Sequence, residues 1–96
     1  MFTKQDLINE IKKNQEEELK LIIKKNADYS SEQDPLQNFR MFGEYGFLVR
    51  MSDKLSRATQ IIKSGKVNVK NESIIDTLQD LANYSNLLIA YLNERK

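Results

Sequence analysis

The chemistry available to this chain is that of its acidic, basic and hydroxyl side chains, because the sequence contains no His, no Cys and no Trp. Without His and Cys it has no imidazole general base, no thiolate nucleophile and no Cys-ligated zinc or iron–sulfur site. Carboxylates remain as ligands for a hard cation, and amines and guanidinium groups remain as partners for phosphate oxygens. The composition therefore favours Mg²⁺ and phosphate as ligands of a functional site.

Charged residues form two lines when the second and third predicted helices are drawn at about 100° per residue. Each line lies opposite an apolar stripe of its own helix, centred on Leu55 in helix two and on Leu78 in helix three. The lines contain Arg50, Asp53 and Arg57 on helix two and Asp76 and Asp80 on helix three. One interpretation is that both are solvated faces with ordinary intrahelical ion pairs.

The other interpretation is that the two lines border a shared polar cleft, within the fold or across a dimer. The carboxylates that would hold Mg²⁺ there are Asp53, Asp76 and Asp80. The basic residues that would meet phosphate oxygens are Arg50, Lys54 and Arg57. The sequence leaves both interpretations open, since charge opposite a core is expected of any amphipathic helix.

Three helical segments must position these residues. Thr3, with Asp6 three residues later, predicts the start of the first helix. Asp34 followed by Pro35 predicts the start of the second, and Gly65 predicts its end. Gly43 and Gly46 allow a bend within this second helix. The predicted single domain, 1–96, is an all-α antiparallel bundle with helix one in 1–26, a loop in 27–34, helix two in 35–64, a connector in 65–71 and helix three in 72–94. We expect oligomerisation to complete it, because a chain of this size buries a modest core.

Apolar residues predict the buried faces. The predicted core contains Ile8, Ile11, Leu19, Ile22 and Ile23 of helix one, Leu48, Met51, Leu55, Ala58 and Ile62 of helix two, Ile74, Ile75, Leu78, Leu81, Ala82, Ser85, Ile89 and Leu92 of helix three, and the aromatic cluster Phe39, Phe42, Tyr45 and Phe47. The C-terminal part of helix three is apolar on nearly every side, and such a helix is normally buried on every side. Four residues of this part are not on the predicted core face, and they contact either a partner chain or helix one: Tyr84, Leu87, Leu88 and Tyr91.

The net charge and the length of the apolar segments limit the class of partner. A strong, sequence-independent nucleic-acid binder needs an excess of basic residues, whereas the net charge here is +1. No segment approaches the roughly 20 apolar residues that span a bilayer, and the first ten residues lack the apolar core of a signal peptide. We therefore expect a cytoplasmic protein that binds neither nucleic acid strongly nor a membrane.

Several short motifs occur in an order that resembles the nucleotide-modification-associated domain 1 family common in phages. The motifs cover most of the chain and are Lys25–Tyr29, Asn38–Phe39, Gly46, Arg50–Arg57 and Glu72–Tyr84. The resemblance implies an all-α phage or prophage protein of nucleotide or modified-base metabolism. It also implies contacts with the base or sugar end of a ligand for Lys25, Asp28, Tyr29 and Asn38.

The order of motifs is also distantly similar to the all-α nucleoside triphosphate pyrophosphohydrolases of the MazG and dimeric dUTPase type. Those enzymes hold Mg²⁺ with carboxylates from two antiparallel helices. Asp80 and Tyr84 match the spacing of an Asp and a Tyr on the later of the metal-binding helices in those enzymes. Where they carry two glutamates on the preceding helix, this chain has Arg50 and Asp53. Because guanidinium favours phosphate over a divalent cation, Mg²⁺-dependent hydrolysis and binding without hydrolysis both stay open.

The expected function is the binding of a nucleotide or nucleotide-like phosphate ligand by a small, oligomeric all-α protein. Mg²⁺ is the cofactor that the acidic residues suggest. The alternative is a phage interaction protein that inhibits a host or defence factor, such as an anti-CRISPR-type inhibitor, through the Tyr- and Leu-rich end of helix three. A further alternative is an oligomeric structural partner in which the charged lines are salt bridges.

Overall fold

The computed structural model describes residues 1–29, 36–65 and 72–94, and in these ranges the chain is all-α, as predicted. Helix α1 spans Lys4–Tyr29, α2 spans Glu44–Lys63, α3 spans Glu72–Glu94, and a short 3₁₀ helix spans Gln37–Phe39. The described ranges contain no strand. None of the helices found in them is long and apolar enough to cross a membrane.

Helix α1 begins with the capping arrangement predicted at Thr3. The Thr3 backbone N–H donates to Asp6 Oδ2 at 2.9 Å, and the Asp6 backbone N–H donates to Thr3 Oγ1 at 3.1 Å. The hydrogen bond from the Thr3 backbone is the main cause that lowers the pKa of Asp6 below its usual value. The helix ends at Tyr29, three residues later than predicted, because Ala27 favours helix and no Gly or Pro precedes that point.

Helix two is interrupted before Glu44, which corrects the expectation of one helix over 35–64 with at most a bend near Gly43 and Gly46. Gly43 has a φ of 59° and a ψ of −146°, a conformation that residues with a side chain rarely adopt. The chain therefore turns through 40–43 before α2 begins. The Gly43 N–H donates to the Phe39 carbonyl at 3.0 Å and holds this turn to the 3₁₀ helix. The predicted helix start at 34–35 lies outside the described residues.

The other helix ends agree with the sequence. At the C-terminus of α2 the Ser64 N–H donates to the Gln60 carbonyl at 3.0 Å, and Gly65 follows with a φ of 72°. Helix α3 occupies the predicted range, 72–94. Most of the predicted connector, 66–71, lies outside the described residues.

Helices α2 and α3 pack along each other and form most of the core. The ring centroids of Phe47 and Tyr91 are 5.3 Å apart, and Lys54 Nζ lies 3.2 Å from Asp80 Oδ2. Early residues of α2 thus meet late residues of α3, so these two helices run in opposite directions. The core cluster consists of the buried residues Leu36, Phe47 and Tyr91, against which Phe39, Leu87 and Leu88 pack.

The core cluster engages the residues that were expected to contact a partner chain or helix one. Tyr91 is buried, Leu87 and Leu88 pack against the cluster, and the half-buried Tyr84 meets the Phe39 ring at 6.2 Å. The contacts described for them are made within the chain, by Phe47 of α2 and by Leu36 and Phe39 of the segment before it. A partner chain at these residues stays a prediction.

The predicted core stripes are only partly buried, which is a second correction. Ala58 and Ile74 are buried, but large apolar residues of the same stripes are 42–62% exposed, namely Ile8, Ile11, Leu19, Ile23, Leu48, Leu55, Ile62, Ile75, Leu78, Ile89 and Leu92. On α2 the stripe that packs on α3 runs through Phe47, Lys54 and Ala58 and is centred roughly 80° around the helix from Leu55, with Ala58 at the edge shared by both stripes. Phe47 sets this rotation because its ring buries more apolar surface than the neighbouring Leu48.

Helix α1 contacts α3 near the C-terminal end of α1 and leaves the other half exposed. Lys25 Nζ lies 3.0 Å from Asp80 Oδ1, and Gln79 Nε2 donates to Glu17 Oε2 at 3.5 Å. Apolar residues in the N-terminal half of α1 remain exposed: Leu7, Ile8 and Ile11. Helix α1 therefore contributes to a site on α2 and α3 only through its later residues.

Substitution of Phe47 tests the core cluster. We expect Phe47→Leu to lower the free energy of unfolding by about 1–2 kcal/mol, because the ring contacts with Phe39 and Tyr91 are lost. The matched control is Phe42→Leu, whose ring is exposed and whose loss should cost under about 0.5 kcal/mol. Urea unfolding followed by circular dichroism measures both variants. Equal losses would contradict the assignment of the core.

Candidate functional site

A cleft of about 870 Å³ lies where the later residues of α1 face the α2–α3 pair. Side chains from all three helices and from the segment that precedes α2 line it. Its charged and polar residues are Lys25, Arg50, Asp53, Asp80 and Asn83, and its aromatic residues are Phe39, Phe42, Tyr45 and Tyr84.

Two of the cleft residues of α2, Arg50 and Asp53, belong to the charged line that the sequence indicated. Gly46, Arg50 and Asp53 are four and three residues apart and share one face of the helix. That face adjoins the stripe of Phe47 and Ala58 that packs on α3, so it turns toward the space between α1 and α3. At these positions the charged lines of α2 and α3 border one cleft.

Asp80 connects the three helices through two lysines, and we call these three residues the ion-pair group. Asp80 Oδ1 lies 3.0 Å from Lys25 Nζ of α1, and Asp80 Oδ2 lies 3.2 Å from Lys54 Nζ of α2. Burial raises the pKa of Asp80, but the hydrogen bonds and charges of the two lysines outweigh burial and lower the pKa below its usual value. Asp80 is therefore ionised at neutral pH.

The charged residues that line the cleft are balanced, with Lys25 and Arg50 against Asp53 and Asp80. Lys54 lies outside the lining but contacts Asp80, so that the ion-pair group together with Arg50 and Asp53 carries one excess positive charge. Lys25 and Arg50 both line the cleft and are exposed. Their positions favour an anion as the ligand.

The aromatic cluster that was expected in the core is divided between the core and the cleft. The rings of Phe39 and Phe47 stack with centroids 4.1 Å apart and planes 10° apart. Phe42 and Tyr45 instead line the cleft and are 67% and 77% exposed, so the expectation of burial is wrong for these two. Because an aromatic face has a large apolar surface, they offer the cleft a place for a flat ring.

The sequence did not indicate Asn83, which the structure places in the lining of the cleft. Asn83 is 5% exposed, and its Oδ1 and Nδ2 atoms have no hydrogen-bond partner among the described residues. A buried amide without a partner costs about 1–3 kcal/mol, and native proteins pair nearly all such groups. The available signal was the spacing of three residues from Asp80, which puts both side chains on one side of α3.

The remaining predicted site residues are not gathered at the cleft. Arg57 and Asp76 are exposed and lie outside its lining. The predicted base or sugar contacts of Asp28, Tyr29 and Asn38 concern side chains outside those that the structure describes, and they stay predictions.

The three acids expected to hold Mg²⁺ are separated. Asp53 and Asp80 line the cleft but Asp76 does not, and each carboxylate oxygen of Asp80 contacts a lysine. In the parts of the chain that the structure describes, no group of three or more acidic side chains could hold a metal ion. The cleft in this arrangement fits an anion better than a metal centre, and Mg²⁺ stays a prediction.

The fold and the cleft define a class, a small all-α protein whose cleft combines cationic side chains, aromatic rings and a buried amide. Comparisons of the chain with known protein families, curated proteins and solved structures gave no match. The resemblance to the phage nucleotide-modification family therefore stays a prediction based on its motifs.

Acidification tests the ion-pair group. Because the folded pKa of Asp80 is below its unfolded value of about 3.9, its carboxylate stabilises the fold above that pH, and this contribution is lost as the pH falls through the folded pKa. We expect Asp80→Asn to cost about 1 kcal/mol at pH 7 and to lose less stability than the wild type between pH 6 and pH 3. Thermal unfolding across this range measures the difference.

The matched control for acidification is Asp76→Asn, which removes an exposed carboxylate from the same helix. It should keep the stability of the wild type at pH 7 within about 0.5 kcal/mol. If Asp80→Asn were as acid-sensitive as the wild type, the ion-pair group would not be formed in solution.

Proposed function

We propose that this protein binds a nucleotide, or a nucleotide-like ligand that joins an aromatic ring to a phosphate group, in the cleft. The observation that carries the proposal is that Lys25 and Arg50 line the same cleft as the exposed rings of Phe42 and Tyr45. Nucleotides are the metabolite class in which a flat base and an anionic phosphate are covalently joined, so one such ligand satisfies both halves of the lining.

Lys25 and Arg50 form the half of the cleft that suits phosphate. The planar guanidinium group of Arg50 can donate to two phosphate oxygens at once, and Lys25 adds an ammonium charge. Lys25 Nζ donates one hydrogen bond to Asp80, which leaves further N–H groups for a phosphate oxygen. The Asp80 carboxylate competes with phosphate for part of the Lys25 ammonium charge.

The aromatic residues form the half that suits a base. Phe42 and Tyr45 each expose most of their ring, and Tyr84 adds a half-buried ring to the same lining. Stacking of a base on an aromatic side chain contributes about 1–3 kcal/mol. A ligand with a base is therefore expected to bind more tightly than phosphate alone.

The motif resemblance supports a role in phage nucleotide or modified-base metabolism in the host cytoplasm. The proposal has two forms, binding without turnover and Mg²⁺-dependent pyrophosphohydrolysis. In the second form Asp53 and Asp80, the acids that line the cleft, would hold Mg²⁺, and the ion would offset phosphate charge. Arg50, which stands where the hydrolases carry a glutamate, favours the first form.

Calorimetric titration with nucleoside mono-, di- and triphosphates tests the proposal. We expect at least one nucleotide to bind, and Arg50→Gln to weaken it by about tenfold or more, since a charge-assisted hydrogen bond contributes about 1.5–3 kcal/mol. The control Lys13→Gln removes one positive charge from the exposed half of α1 and should leave the affinity unchanged.

Titrations with and without Mg²⁺ separate the two forms. If Asp80 serves only the ion-pair group, Asp80→Asn tightens nucleotide binding under both conditions, because Lys25 and Lys54 lose their competing carboxylate. If Asp80 holds Mg²⁺, the variant loses the Mg²⁺-dependent affinity and any release of pyrophosphate. The absence of binding and turnover across all the nucleotides would overturn the proposal.

A second feature supports association with another polypeptide chain. Large apolar residues of α2 and α3 remain exposed and form what we call the apolar face: Leu48, Leu55, Ile62, Ile75, Leu78, Ile89 and Leu92. On each helix these residues lie opposite the charged line, so the apolar face and the cleft are on opposite sides of the α2–α3 pair. Large apolar patches that a protein leaves exposed commonly mark a surface that binds another protein.

We propose that a second copy of this chain covers the apolar face. Leu48, Leu55 and Ile62 recur every seven residues, the spacing at which one helix packs along another. The net charge of +1 causes little repulsion between two copies. A homodimer formed through this face would leave the cleft of each copy open. This proposal moves the expected interface away from the C-terminal residues of α3 that pack within the chain.

The mass of the protein in solution tests the second copy. We expect light scattering coupled to gel filtration to give a dimer or larger oligomer for the wild type and a monomer for Leu55→Glu, because the interface would then bury an unpaired charge. Met41→Glu is the control, since Met41 is exposed in the turn before α2, outside the apolar face. A monomeric wild type would overturn the dimer and favour the alternative function, in which a host or defence protein covers this face.

A further inference from the structure

The side chain of Asn83 is a buried polar group of the cleft lining whose hydrogen-bonding capacity the described residues leave unused. It is 5% exposed, it lines the cleft, and neither its Oδ1 nor its Nδ2 has a partner among the described residues. Asp80, one helical turn earlier on α3, does not share this property because Lys25 and Lys54 contact its carboxylate. Arg50 and Asp53 of the same lining are exposed, so water can solvate them. Native proteins seldom bury a primary amide without a partner, so its position in a cleft indicates a ligand.

The chemistry of the amide group restricts that ligand. A primary amide presents one acceptor oxygen and a donor N–H₂ group side by side in one plane. The complementary partner is therefore a flat edge with a donor next to an acceptor. Nucleobases carry such edges, and Asn commonly recognises them through two parallel hydrogen bonds. Phosphate and sugar groups have no planar edge of this kind.

The surroundings of Asn83 agree with a base as the partner. Its neighbour in the chain, Tyr84, lines the same cleft, and Leu87 lies one helical turn further along. Asp80 and its lysines lie one turn in the other direction. The amide thus lies between the ion-pair group and an aromatic and apolar part of the lining. A nucleotide with its phosphate toward the lysines would place its base next to this amide.

We infer that Asn83 is the specificity-determining residue of the cleft and that it recognises the hydrogen-bonding edge of a nucleobase. The inference rests on the proposed function, because it assigns the part of the nucleotide that Asn83 contacts. It also explains why a polar residue occupies this buried position, although an apolar residue of the same size would make the fold more stable. In the unliganded protein the amide lowers stability, and in the complex its hydrogen bonds are made by the base.

Substitution of Asn83 by its apolar isostere gives a test with two independent readouts. The ligands are the 5′-phosphates of adenosine, cytidine, guanosine and uridine, together with ribose 5-phosphate, which lacks a base. We expect the wild type to bind at least one nucleoside monophosphate about tenfold more tightly than ribose 5-phosphate. In Asn83→Leu this preference should be lost, while affinity for ribose 5-phosphate is kept and the melting temperature without ligand rises.

Two further variants complete the experiment. Asn83→Ala also removes the amide, adds no bulk, and should lose the same preference if Asn83→Leu fails to fold. Asn93→Leu makes the same change at an exposed position of α3 and should keep the preference.

The outcomes separate the inference from the function on which it rests. If the wild type binds none of these ligands and no other nucleotide, the proposed function fails. If the wild type prefers a nucleoside monophosphate and Asn83→Leu and Asn83→Ala keep that preference, the inference fails while the proposed function stands. A lower melting temperature of Asn83→Leu with unchanged affinities would show that Asn83 has a structural partner, such as an ordered water molecule, and would overturn the inference.

Discussion

The burial of the Phe47 ring between α2 and α3 is the contact on which the rest of the structure depends. Phe47 is fully buried, stacks on Phe39 and lies against Tyr91. Since neighbouring side chains on a helix are about 100° apart, its burial sets the rotation of α2 and the direction of every other side chain on that helix. Arg50 therefore faces the cleft and Leu55 faces outward. Contacts through Phe39 also bring the 3₁₀ helix against α3, where it forms part of the cleft.

Asp80 has a corresponding role in the electrostatics of the molecule. Its two carboxylate oxygens contact Lys25 of α1 and Lys54 of α2, so one side chain links three helices. A carboxylate bound in this way holds two ammonium groups near each other and offsets one of their charges. Together with Arg50 and Asp53, the group carries one excess positive charge, which Lys54 supplies from outside the cleft lining. This balance is why an anionic ligand with an aromatic ring fits the cleft better than a bare cation.

Much of the secondary structure and part of the candidate site could be predicted because both depend on local features. The reciprocal hydrogen bonds of Thr3 and Asp6 and the positive φ of Gly65 act within a single turn of chain. The spacing of Arg50 and Asp53 assigns them to one helical face wherever that helix packs. The interruption before α2 was harder to predict, since Gly43 is compatible with a bent helix as well as with a turn.

The sequence by itself determined the all-α class, most helix ends and the grouping of charged residues into lines. Only the tertiary structure decided which apolar stripe is buried, because α2 carries two neighbouring stripes, through Phe47 and through Leu55, that periodicity does not rank. A rotation of roughly 80° exchanges them and is settled by which ring finds partners on α3. Such partners are distant in the chain, so local patterns did not indicate that Asn83 would be buried in the cleft without a hydrogen-bond partner among the described residues.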